Sequence, residues 1–349
     1  MVLLTALIQE LHARFRCPVD ILTSGPWSEP LLREQPGVGD IMHVRSRSTP
    51  YWFAPDRRRA VQRLRLRGVG PTWFCDGSKA ARSMLTRAGT TADFIVDVKD
   101  HPAVSREHTT EHWRRFARIL PAAVRDTPVP ETGSATGGGC NLQVAAAWEA
   151  DLAMWLRTRG LSNAPLILVQ AGNKRTMRRL FGHSVANTKY WPKERWALVL
   201  RHLRQENSRH AILLLGAGHE HALNREIAAL ANIEGLHNVA DDLPIPRLLA
   251  LLARATALIT VDSGPAHAAA AVGCPQVVLF GSASPSYYRP WGTSGAAVAV
   301  LVGQVNGEPN IRGISAEAVI EAWSGLDRNG GDDHQIRQSQ SSEVAESAA

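Results

Sequence analysis

Short apolar blocks recur along the chain, and their period shifts repeatedly between continuous or alternating runs and helical spacing. In the first part this pattern predicts helices over 5–15, 30–34, 57–66 and 78–88, and strands over 19–23, 41–44, 72–75 and 92–96. Such alternation is what βα units of a parallel sheet produce. Between 121 and 141 proline, threonine and a glycine run replace the pattern, so a loop or linker is expected there. A helix over 143–159 follows, with Ala145, Trp148, Leu152, Trp155 and Leu156 at helical spacing. Strands are then predicted over 165–170, 210–216, 257–261, 276–280 and 298–302, with helices opening at Pro192 and over 245–255, 266–272 and 315–326. The expected organisation is an amino-terminal α/β domain over 1–163, a carboxyl-terminal α/β domain over 164–326, and a polar tail over 327–349 too poor in apolar residues to fold.

Charge narrows the partners. The formal net charge is +7 over 349 residues, so an anionic partner is expected. The densest basic run is Arg57-Arg58-Arg59 with Arg63, Arg65 and Arg67, which reads either as a solvated helix face or as a contact for acceptor phosphates or an anionic membrane leaflet. No aromatic interleaving or recognised binding motif accompanies it, so a nucleic-acid partner is not expected. No apolar run approaches the ~18 residues of a membrane span, and the first residues lack the basic and small-residue features of a signal peptide. The four cysteines are widely spaced with no CxxC pair. Together these predict a cytoplasmic protein without a zinc site, in peripheral contact at most with the inner membrane.

Three stretches carry candidate chemistry. In 257–292 an apolar run leads into Asp262-Ser263-Gly264-Pro265, an alanine-rich helix containing His267, then Gly273, Pro275, a second apolar run and Gly281-Ser282. A strand, tight loop and helix N-terminus in this order suit anion binding, with Asp262 and Ser263 placed to cap the helix. The second stretch, Lys189-Tyr190-Trp191-Pro192-Lys193-Glu194-Arg195-Trp196, puts a lysine just before a helix, after a basic loop holding Lys174 and Arg175. In the third, Gly216-Ala217-Gly218-His219-Glu220 fails as a dinucleotide fingerprint, which argues against an NAD-dependent oxidoreductase. The H-x-x-E-H spelling of His108 to His112 has a zincin-like order but is short enough to arise by chance, and reads as part of an ordinary polar helix.

The first two stretches resemble glycosyltransferase family 9, which contains the ADP-heptose:lipopolysaccharide heptosyltransferases. The resemblance rests on D-[ST]-G-x-x-H with G-x-P and G-[ST]-x-x-P (Asp262, Ser263, Gly264, His267, Gly273, Pro275, Gly281, Ser282, Pro285) and on K-x-W-P-x-[ER]-x-W from Lys189 to Trp196. It implies a GT-B fold, two Rossmann-like domains facing a cleft, the second binding a nucleotide-diphosphate sugar and the first the acceptor. It further implies that Lys189 contacts the diphosphate, Glu220 the ribose and Leu243 the nucleobase, beside Asp262, Ser263, Gly264 and His267. Lys174, Arg175, Arg57 and Arg58 are candidate acceptor or phosphate contacts. The activity so implied is inverting transfer of a sugar, heptose foremost, to a lipopolysaccharide core or related glycan. No D-x-D pattern is present, so transfer without a metal or cofactor is expected. Family members begin one strand earlier, with a loop aspartate as general base. That places the base upstream of Met1, leaves two interior strand edges unpaired in the first domain, and makes Gly39-Asp40 a decoy. The alternative is a nucleotide-sugar-binding pseudoenzyme without the base.

Overall fold

In the computed structural model, residues 2–45, 49–126, 138–173 and 189–328 are described. They fall into two compact units that divide between Gln143 and Val144. The first unit contains α1 (Thr5–Phe15), β1 (Val19–Thr23), α2 (Ser28–Leu32), β2 (Val38–His43), α3 (Pro55–Arg67), β3 (Thr72–Phe74), α4 (Lys79–Ala88), β4 (Ile95–Asp97) and α5 (Thr109–Ala117). All four strands run parallel to a partner, yet they form two separate pairs, β1 with β2 and β3 with β4. One apolar cluster brings Leu7 and Leu11 of α1 against Val96 and Phe116, with Val19 and Trp73 at its margin. A second joins Met42 and Val44 to Ala60, Val61 and Met84 from α3 and α4.

The second unit runs α6 (Ala146–Thr158), β5 (Leu166–Gln170), α7 (Lys193–Glu206), β6 (Ala211–Leu214), α8 (His221–Ala231), β7 (Leu236–Asn238), α9 (Ile245–Arg254), β8 (Ala257–Val261), α10 (Gly264–Val272), β9 (Gln276–Phe280), α11 (Pro285–Tyr288), β10 (Val298–Val302), β11 (Gln304–Val305), β12 (Glu308–Pro309) and α12 (Ala316–Ser324). Six strands make one sheet in the order β10-β9-β8-β5-β6-β7, every neighbour parallel. The apolar runs that predicted β5, β8 and β9 are buried at every position, as a parallel sheet covered on both faces requires. The division at Gln143 precedes the boundary expected at 163, because α6 packs on α9 and so belongs to the second unit. Arg247 of α9 donates to both carboxylate oxygens of Asp151 at 2.7 and 3.0 Å, and Trp155 and Leu156 are buried. No helix among the described residues is long and apolar enough to cross a membrane. Most of the polar tail expected over 327–349 lies outside the described residues.

Candidate functional site

The sheet of the second unit starts in its middle. From β5 the chain builds outward through β6 and β7, then returns to the other side of β5 with β8. Parallel strands place their carboxyl ends on one edge, and the reversal between β5 and β8 opens a crevice there. Residues following β5, β6, β7 and β8 therefore converge on one edge. They include Gly172, Glu220, Leu243 and the stretch Asp262 to His267.

The loop after β8 shows an exposed helix start. Ser263 stands at the N-cap of α10 in extended conformation, but its side chain makes no capping hydrogen bond. Its hydroxyl lies 3.2 Å from the Thr260 hydroxyl instead. The Asp262 carboxylate accepts from Lys189 Nζ, an ion pair whose side chains are 11% and 18% exposed. The capping expected of Asp262 and Ser263 is thus not made, because a lysine charge and a neighbouring hydroxyl outcompete backbone N–H groups for those oxygens. The first-turn N–H groups have no acceptor within the helix, and Pro265 contributes none. A Cβ at Gly264 would meet no heavy atom of the described residues within 4 Å, so none of them crowds this terminus. His267 is half-buried in the same turn. The alanines behind it are small for a reason: Ala266 and Ala268 to Ala271 are buried, and a Cβ on Gly292 would collide with the Ala270 carbonyl.

Lys189 is aimed by tryptophans. Trp191 and Trp196 are fully buried, meet edge to face at 4.7 Å, and the Trp191 indole donates to the Ile314 carbonyl at 2.9 Å. Arg195 Nη1 donates to the Arg312 and Ile314 carbonyls. Pro192 stands at the N-cap of α7, one residue ahead of the expected first turn. The motif around Lys189 therefore anchors the start of α7 in the core and delivers the ammonium to Asp262. Lys174 and Arg175 lie outside the described residues.

After β6, Glu220 closes a short turn, accepting from Ala217 N–H at 2.8 Å and from Gln170 Nε2 at 3.1 Å. It is 4% exposed, and burial raises its pKa, opposed by the Ala217 N–H, His219 and Gln170. A Cβ at Gly172 would collide with Glu220 Oε1, which explains a glycine after β5. Gln170 was not legible as a site residue, because its partner is fifty positions away. The loop bearing Leu243 is likewise fixed from a distance. Asp242 accepts from the Trp155 indole at 2.9 Å and from Arg159 and Arg247, while Asp241 adopts a left-handed φ of 72°.

In the first unit the candidates divide. Arg57 is 5% exposed and turns inward, donating to the Thr49 and Ala80 carbonyls, so the basic run is not uniformly a solvated face. An acceptor contact through Arg57 would require it to abandon those carbonyls; Arg58 stays on the surface. Asp40 lies within β2 and accepts from Arg63. His108 and His112 serve the fold. His108 Nδ1 accepts from Thr110 N–H at 3.2 Å while Glu111 accepts from His108 N–H, a reciprocal cap, and His112 faces Glu107. Burial pushes the Cys75 and Cys274 thiols up to about 12, so neither is a poised thiolate.

Residues 167–311 match the family model described as Glycosyltransferase family 9 (heptosyltransferase). Among curated proteins, lipopolysaccharide heptosyltransferase 2 of Escherichia coli K12 is 29% identical over 125 residues, 35% of each chain. Lipopolysaccharide heptosyltransferase 3 of the same strain is 31% identical over 103 residues, 30% of each. The matched segment thus spans about a third of the curated relatives' length. Among solved structures, E. coli ADP-heptose LPS heptosyltransferase II superimposes with a TM-score of 0.70 at 21% identity, covering 93% of this chain and 94% of that one. A glycosyl transferase family 9 protein from Veillonella parvula gives 0.70 at 16%, covering 93% and 92%. An E. coli heptosyltransferase solved with ADP gives 0.60 at 16%, covering 93% and 95%. The fold is the α/β, GT-B type of these enzymes. Residues 167–311 therefore carry a sequence pattern similar to glycosyltransferase family 9 (heptosyltransferase), on a fold similar to that of these solved structures.

Proposed function

We propose that the chain is an inverting glycosyltransferase, which takes a sugar (heptose foremost) from a nucleotide-diphosphate donor, ADP-heptose foremost, and passes it to a lipopolysaccharide core or related glycan. The observation that carries this reading is the Lys189 ammonium held on Asp262 at the uncapped start of α10. A diphosphate seated there meets helix N–H groups on one side and a lysine on the other. Asp262 holds the lysine in place before the ligand arrives. As the bond between anomeric carbon and diphosphate breaks, charge grows on the leaving phosphate, and these groups stabilise it without a divalent ion. Glu220 keeps acceptor capacity on both oxygens for the ribose hydroxyls, since each already accepts one bond of about two it can take. Leu243, on the pinned loop after β7, offers an apolar surface to the base.

In the transfer step an acceptor hydroxyl attacks the anomeric carbon from the face opposite the diphosphate. A base takes its proton, and no residue described here is assigned as that base. The acceptor is an anionic glycolipid, which brings the chain to the cytoplasmic face of the inner membrane.

The test is titration with ADP, followed by tryptophan fluorescence and calorimetry. Lys189→Ala is expected to weaken ADP binding by about a hundredfold, the worth of a charge-assisted contact to phosphate. Equal affinity in the variant, or displacement of ADP by NADH, would sink the reading. Transfer that survives EDTA and yields the inverted anomer completes it. ADP binding with no turnover of any donor would leave a non-catalytic nucleotide-sugar binder.

A further inference from the structure

Between two prolines, the turn Tyr51–Phe53 presents aromatic rings to solvent in the first unit. Trp52 is 68% exposed and Phe53 79%, the two most exposed aromatic residues among the described large hydrophobics. They are held rather than loose. Phe53 N–H donates to the Pro50 carbonyl at 3.0 Å and Ala54 N–H to the Tyr51 carbonyl at 3.2 Å. Tyr51 and Trp52 meet edge to face at 5.5 Å, and the Arg87 guanidinium sits 4.4 Å from the Tyr51 ring and 5.6 Å from the Trp52 ring. Arg58 Nη1 ties the turn to α3 by donating to the Trp52 carbonyl at 3.1 Å. The outer face of α3 continues with exposed Arg59, Arg63 and Arg65, and with Leu66 at 81% exposure.

Apolar rings fixed in water cost free energy that a monomer has no reason to bear, and patches of this kind mark contacts. Their neighbours specify the partner. Aromatic and aliphatic side chains beside several arginines match the boundary between acyl chains and anionic headgroups, where ring systems settle and guanidinium groups bond phosphate. Single-stranded nucleic acid fits less well, because stacking successive bases needs several free aromatic faces and Arg87 and Tyr51 already pack on Trp52.

We propose that the 51–53 turn and the outer face of α3 dock the protein on an anionic lipid bilayer, with Trp52 and Phe53 entering the headgroup region and Arg58 and Arg59 facing lipid phosphates. This deepens the membrane side of the function proposed above and is independent of donor binding. The sequence pointed to the arginines alone; the aromatic wedge and the inward turn of Arg57 emerge from the fold.

The experiment is co-sedimentation of the full chain with vesicles of equimolar phosphatidylglycerol and phosphatidylcholine, and with phosphatidylcholine alone. Partitioning is expected to be at least about tenfold stronger on the anionic vesicles and to fall with added salt. The double variant Trp52→Ser/Phe53→Ser should lose about tenfold on anionic vesicles, and Arg59→Glu several-fold, with unchanged ADP affinity and thermal midpoint. Equal binding to both vesicle types, or undiminished binding of the double variant, overturns the proposal. So does an oligomer in lipid-free buffer that the double variant dissolves, or binding to single-stranded DNA that it abolishes. ADP titration on the same samples reports separately on the donor site, so the two readings can fail independently.

Discussion

The two units use similar βα alternation but hold themselves together differently. In the second unit β5, β8 and β9 are buried at every position, within one continuous six-stranded sheet. In the first, only Met42 of β1 and β2 is buried, and the strands stay in two pairs. Where hydrocarbon is scarce, polar links take over. Glu10, 8% exposed, accepts from Arg114 at 3.5 Å and Arg118 at 3.0 Å. Glu107 takes Arg115 at 2.7 and 2.9 Å, and Arg57 binds carbonyls. Hydrophobic burial responds weakly to pH, whereas paired charges respond strongly. The proposed donor site therefore rests on the unit with the larger continuous hydrocarbon core, and the proposed docking face on the one that leans more on buried carboxylate–arginine pairs.

Substitutions can break this contrast, beginning with the core. Trp196→Ala removes a fully buried side chain from the second unit and should cost about 4 kcal/mol in urea denaturation. Trp73→Ala, in the half-buried counterpart, should cost about half as much. Glu10→Gln leaves Arg114, with 9% of its side chain exposed, without its carboxylate, at a cost of about 3 kcal/mol. An equal loss from Trp73→Ala and Trp196→Ala would erase the distinction.

The pH arm sharpens it. Hydrogen bonds from Arg115, with help from the Val104 N–H, hold the Glu107 carboxyl at about 2, below its ordinary 4.5. A depressed carboxyl stabilises above the ordinary value and loses that contribution as pH falls toward about 2. Glu107→Gln should then cost about 2 kcal/mol at neutral pH, a figure reduced because Arg115 is partly exposed, with the difference from wild type vanishing across that acid window. A pH-independent difference would argue for packing instead of charge.

Glu220 has the opposite sign. Its raised pKa means that its contribution is favourable below 4.5 and is lost as pH climbs through the raised value. Glu220→Gln is thus expected to raise stability near neutral pH and to change nothing near pH 4, while weakening ADP binding. Unchanged ADP affinity would remove Glu220 from the ribose role.

What the sequence by itself determined is local and periodic. Apolar runs identified β8, β9 and β10 to the residue, and helical spacing identified α1 and, within one residue, α9, because both periods follow from backbone geometry. The motifs at Lys189 and Asp262 were legible because each is contiguous. The tertiary structure decided which polar groups meet. Lys189 reaches Asp262 across 73 positions, and Trp155 reaches Asp242 across 87. A run of arginines cannot say which one turns inward, and the His108 to His112 spelling, though readable as an ordinary helix, cannot say that His108 caps it. Such choices rest on hydrogen-bond partners that only the folded chain brings near, since a buried donor or acceptor is satisfied by whatever the packing places beside it.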